Sequence, residues 1–109
     1  MTTNYYAHGP DLPEDGLHIG QHALGWEFLF RAHHDRGLTS AHSWYRQLCL
    51  PGVEIRSESG TRVPIGDFWA DSTRRVTSDG ELIKRFGVSH REDEFRDEHE
   101  RPFSAAEFC

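Results

Sequence analysis

The stretch Gly16 to Gly37, GLHIGQHALGWEFLFRAHHDRG, constrains the fold more than any other part of the chain. Leu17 and Ile19 alternate with His18 and Gly20. After the turn-rich QHALG, the residues Trp26, Phe28, Phe30 and Ala32 alternate with Glu27, Leu29, Arg31 and His33. Period-two alternation sorts side chains onto the two faces of a strand, so the segment reads as two strands paired antiparallel. The preceding NYYAHGPDLPEDG carries two prolines and two glycines and reads as a lead-in, with the first strand beginning near Leu17.

Beyond the hairpin the apolar period changes to that of a helix. In SAHSWYRQLCLPG the residues Ala41, Trp44, Tyr45, Leu48 and Cys49 recur at three and four, one helical face, which puts Cys49 in the core. Thr39 or Ser40 can cap that helix and Pro51-Gly52 ends it. VEIRSESGTRV reads as a short strand with a return through Val63. Pro64 suits the first turn of a second helix with Ile65, Phe68, Trp69 and Ser72 on one face and Arg74 and Arg75 at its C-terminal end. ELIKRF fits helix and strand equally. The segment HREDEFRDEHERPFSAAEFC reads as an acidic loop over residues 89–101, then a final strand near Phe103 to Phe108. The expected architecture is α+β: one small domain over residues 1–109, with an antiparallel sheet of three to five short strands and two helices packed on one face. Its core is built around Trp26, Phe28, Phe30, Trp44, Leu48, Phe68 and Trp69.

A chain of 109 residues with 36% apolar content has material for one core, so any site must sit on that scaffold. The formal net charge of −6 disfavours non-specific attachment to nucleic acid or anionic membranes and favours a partner with a basic surface. Cys49 and Cys109 read as reduced thiols. No run approaches the roughly twenty apolar residues of a membrane span, and no secretory leader is apparent, so a soluble cytoplasmic protein is expected.

Four histidines fall in the opening stretch. His18 and His22 have the spacing of metal ligands on a helix, but the strand pattern separates them unless the turn folds back. His33-His34-Asp35 followed by His42 on a helix loosely resembles the ligand order of ββα metal nucleases, in which a bound divalent ion activates water. That nuclease, using His18, His22, His33 and His34, is the alternative reading. Two-histidine acid/base catalysis needs near-neutral pKa values and a cation for the phosphate. With eight histidines and eleven arginines, composition permits it anywhere and locates it nowhere. His42 and Cys49 are two helical turns apart, roughly 10 Å, too far for a nucleophile pair. The three tryptophans have core spacing rather than that of a base-stacking platform. HIGQHALG lacks the lysine of a phosphate-cradling loop. No metal and no cofactor is expected.

The motifs NYY, LHIG, GWEF, the helix around Trp44 and the closing EFC occur in an order that resembles a group of small, mostly uncharacterised bacteriophage proteins. These share a Tyr-Tyr start, a Cys-x-x-Cys knuckle and a Leu-His-Ile-Gly-Lys-Ser-Ser-x-Gly-Trp-x-Phe hairpin before a Trp-bearing helix. Here the segment between Tyr6 and Leu17 is shortened and lacks both cysteines, and Gln21-His22-Ala23 stands where Lys-Ser-Ser is common. The resemblance implies a phage origin, the cytoplasm of an infected bacterium and a shared α+β scaffold, with no zinc knuckle and no catalytic residues to carry over.

The remaining feature is acidic. Glu92, Asp93, Glu94, Asp97, Glu98 and Glu100 crowd one segment, and Asp11, Glu14 and Asp15 form a smaller group. If the two groups share a face, that face can steer onto the nucleic-acid-binding surface of another protein and exclude the nucleic acid. The functional expectation is therefore a phage accessory protein that binds a host protein stoichiometrically, as an inhibitor of a nucleic-acid-handling or defence complex of the anti-CRISPR kind. A binding module is favoured over an enzyme.

Overall fold

The computed structural model describes residues 2–23, 26–73, 94–98 and 101–106. Its strands are β1 (Thr2–His8), β2 (Leu17–Ala23), β3 (Leu29–Arg31), β4 (Glu54–Ser57), β5 (Arg62–Val63), β6 (Glu94–Arg96) and β7 (Pro102–Ser104). The helices are α1 (Ala41–Leu48) and α2 (Ile65–Ser72), with a single 3₁₀ turn at His34–Arg36. The strands form one sheet in the order β5-β4-β1-β2-β3-β7-β6. The α+β class holds, but the expected three to five antiparallel strands are corrected to seven in a mixed sheet, because β3 and β7 run parallel. β7 reaches β3 through a long connection, and only such connections can return a strand in the same direction.

Two strands lie where sequence alone suggested irregular chain. β1 pairs with both β2 and β4, so Thr2 to His8 is an interior strand rather than a lead-in. β6 falls inside the segment read as an acidic loop. Its Phe95 lies opposite Phe103, the rings stacking at 5.3 Å, and Arg96 meets Glu27 at 2.9 Å. A stacked aromatic pair and a neutralised charge make a strand of a segment whose composition is mostly charged.

The core face of the sheet carries Ala7, Ile19, Phe30, Ile55 and Phe103, and both helices add to the same cluster through Trp44, Leu48 and Phe68. Edge-on ring contacts join α2 to the sheet, with Phe68 at 5.3 Å from Tyr5 and 5.5 Å from Phe28. Trp44 donates its indole N–H to the Arg31 carbonyl at 2.8 Å, so its polar atom is satisfied inside the core. Ser40 caps α1 in a reciprocal capping box with Ser43. Pro64 stands just before α2, at its N-cap.

Three expected core positions are corrected. Trp26 is 39% exposed, outside the short β3. Tyr45 and Cys49 of the α1 region are also exposed. The buried stripe of α1 is only Ala41, Trp44 and Leu48, and a residue one place on is turned about 100° away from it. The expected residues ELIKRF, Arg74, Arg75, Phe108 and Cys109 lie outside the described residues.

Candidate functional site

One irregularity of β2 decides how the histidines are distributed. Tyr5 lies opposite Gly20 and Tyr6 opposite His18, so Ile19 is the extra residue of a β-bulge. Residues four apart on a regular strand share a face. The bulge reverses this for His18 and His22. His22 pairs with Thr3 on the helix side, where its Nε2 lies 3.9 Å from Asp71 of α2. His18 pairs with Tyr6 on the opposite face, the rings 5.2 Å apart. His34 is exposed on the 3₁₀ turn, with its ring 6.1 Å from that of Phe95.

Of the four histidines in the metal alternative, then, only His18 and His33 come together. His33 donates from Nε2 to the His18 carbonyl at 2.8 Å, and His18 donates from Nε2 to Oδ1 of Asn4 at 2.9 Å. Asn4 is itself buried, held at both ends of its backbone by Glu58: the Asn4 N–H donates to Oε1 at 3.0 Å and its carbonyl accepts from the Glu58 N–H at 2.8 Å. Arg31, the last residue of β3, brings a guanidinium whose Nε is buried without a hydrogen-bond partner. The result is a polar cluster of Asn4, His18, Arg31 and His33 under the sheet face that bears Tyr6.

Its electrostatics run against proton transfer at neutral pH. Burial, the Arg31 charge and His33 push His18 down from its ordinary 6.5 to about 4. Burial, partly opposed by its bond to the His18 carbonyl, also holds His33 below the usual histidine range. A two-histidine mechanism needs one imidazole protonated as acid and one neutral as base. Here the surroundings drive both towards the neutral form, and each has its Nε2 hydrogen committed to a structural bond. Among the described residues no three His, Cys, Asp or Glu side chains converge to hold a metal ion. His42 is exposed on α1.

The acidic residues divide differently from their spacing in the chain. Glu92, Asp93 and Glu100 lie outside the described residues, Glu94 is half-buried in β6, and Glu98 is exposed. Asp97 is buried. One carboxylate oxygen accepts the Ala41 N–H at 2.7 Å, the first of α1, and the other accepts the Arg101 N–H at 2.8 Å. It serves as an internal staple between the β6–β7 turn and the helix N-terminus rather than as part of a docking face.

The 3₁₀ turn links the remaining charges. Arg36 donates to the Asp11 carbonyl at 3.3 Å, while the neighbouring His34 ring meets Phe95. The 3₁₀ turn thus touches the loop carrying Asp11 and the strand β6, and Asp11, Glu14, Asp15, Asp35 and Glu98 are all exposed. Sequence reasoning passed over Asn4 and Arg31, because without β1 no pattern placed Asn4 beside His18. Asp35 figures in the sequence only beside His33 and His34 in the metal alternative, and not among the acidic groups. No protein family, curated protein or solved structure matches the chain.

Proposed function

We propose that this chain is a phage-encoded accessory protein that acts by stoichiometric binding to a host protein. It presents its acidic end to a basic, nucleic-acid-handling surface, as an inhibitor of a host or defence complex of the anti-CRISPR kind. The observation that supports this reading is that the 3₁₀ turn touches both the 9–16 loop and β6, three segments that each carry or adjoin exposed carboxylates: Asp11, Glu14 and Asp15, Asp35, and Glu98. Such a surface gains association rate from steering and loses it as salt screens the charges. The inward commitment of His18 and His33 supports a binding rather than a catalytic role.

The test is charge reversal at Asp11, Glu14, Asp35 and Glu98 to lysine, leaving the buried Asp97 in place. Binding to the captured host partner should fall by at least about a hundredfold, the equivalent of ~3 kcal/mol, while the melting temperature stays within a few degrees. A folded reversal variant that binds as the parent does would refute the acidic end as the contact. Cleavage of nucleic acid by purified protein, abolished by His18→Ala or His33→Ala, would return the reading to a nuclease.

A further inference from the structure

Among the described arginines, most are neutralised or bonded inside the molecule. Arg56 and Arg62 both face Glu54, Arg96 pairs with Glu27, and Arg101 donates to the Thr73 carbonyl. Arg31 lies beside His18 with its Nε buried. Arg36 and Arg46 are both exposed, and neither has a carboxylate within ion-pair distance among the described residues; Arg36 gives one Nη1 bond to the Asp11 carbonyl at 3.3 Å and keeps its other donors.

These two line the same cleft, a space of about 250 Å³ between the 3₁₀ turn and the outer side of α1. Leu38 and Leu50 give it an apolar lining, and Gln47 adds an amide. Leu50 is 51% exposed, so apolar surface is open to a ligand there. The Ser43 hydroxyl, also on the wall, is taken up by the capping box of α1 and has little left to offer a ligand.

Two guanidinium groups on one concavity repel each other, and an anion between them relieves that repulsion. The planar fork of arginine matches the oxygens of a phosphate better than it matches a spherical ion. The volume suits a single phosphate with a small organic group, and the leucines supply a surface for that group.

We propose that this cleft binds a small phosphomonoester, its phosphate held by Arg36 and Arg46 and its organic part resting on Leu38 and Leu50. The site shares the 3₁₀ turn with the acidic segments, through Arg36, but does not depend on their being a docking face.

The test uses the full chain titrated at constant ionic strength with phenyl phosphate, inorganic phosphate and chloride. Binding is followed calorimetrically and by the backbone amide signals of Leu38 and Gln47. The expected result is saturable one-to-one binding of phenyl phosphate, weakened about tenfold or more in Arg36→Gln and in Arg46→Gln at unchanged melting temperature. Inorganic phosphate should bind more weakly and chloride should give no saturation. Linear, unsaturated shifts with all three anions would overturn the proposal, as would parental affinity in both variants. Inorganic phosphate binding as tightly as phenyl phosphate would overturn the assignment of the ester.

Discussion

His18 shows how a single residue can look reactive in sequence and be structural in place. Its Nε2 hydrogen is bound to Asn4 and its carbonyl to His33, and the buried ring resists protonation. The consequence for stability has a definite sign. As pH falls below 6.5 the unfolded chain takes up a proton at this position while the folded chain does not, until pH approaches 4. The stability held above pH 6.5 is therefore lost progressively on acidification, by up to ~1.4 kcal/mol per pH unit and ~3 kcal/mol in all for this group. His33, displaced in the same direction, adds to the slope. Urea unfolding from pH 7.5 to 4.5 should show this decline and a flatter one in His18→Gln. Equal slopes in both proteins would contradict a buried neutral His18. Asn4→Ala leaves the His18 N–H without its acceptor and should cost about 1–3 kcal/mol, read as a lowered urea midpoint at pH 7.5.

Among the elements, β2 and its neighbours depend on one close approach. A Cβ at Gly20 would overlap the Leu29 carbonyl and the Phe28 ring, and a backbone oxygen cannot swing aside as a flexible side chain can. Gly20→Ala should therefore separate β2 from β3 and cost about 2–3 kcal/mol, whereas Gly66→Ala, with open space at its Cβ, should not destabilise. Asp97 is the equivalent point for the β6–β7 turn. Asp97→Ala removes two charge-assisted bonds and should cost about 2 kcal/mol, while Glu14→Ala on the exposed loop should stay within ~0.5 kcal/mol. Thermal or urea unfolding of the four variants checks both statements.

The elements legible in sequence were those that carry their own period: the β2–β3 hairpin, α1 with its Ser40 cap, the β4–β5 return and α2. β1 was not legible, because its burial comes from two flanking strands and its own residues, Thr-Thr-Asn-Tyr-Tyr, show no alternation of polar and apolar. β6 was hidden by charge, since Glu27, which neutralises Arg96, lies 69 residues away, and the partner that stacks on Phe95, Phe103, sits across a turn of charged residues. The bulge at Ile19 left no mark in the alternation, yet it separates His18 from His22. For the same reason the polar cluster was half legible: its histidines stood out, while Asn4 and Arg31 acquired meaning only from strand pairing.

At the scale of the whole molecule, exposed carboxylates occur on the 9–16 loop, the 3₁₀ turn, the β4–β5 turn, α2 and the turn after β6. Asp11, Glu14, Asp15, Asp35 and Glu98 are exposed on segments at or in contact with the 3₁₀ turn or following β6, Asp97 is withdrawn into the fold, and Arg36 and Arg46, with no ion pair among the described residues, line a cleft beside that turn. A partner recognised through exposed carboxylates should associate more slowly as salt rises, because the screening length shortens from about 10 Å at 0.1 M to about 3 Å at 1 M. No described helix is long and apolar enough to cross a membrane, so attachment through a membrane helix is not part of the account for these residues. The most direct measurement is quantitative affinity capture from bacterial lysate at 0.1 M and 1 M salt, with parent and charge-reversal bait side by side. One host nucleic-acid-handling complex should be recovered at fixed stoichiometry by the parent at low salt, lost at high salt and absent from the folded reversal variant. Recovery of the same partner in equal amount by both baits, or at both salt concentrations, would contradict that expectation.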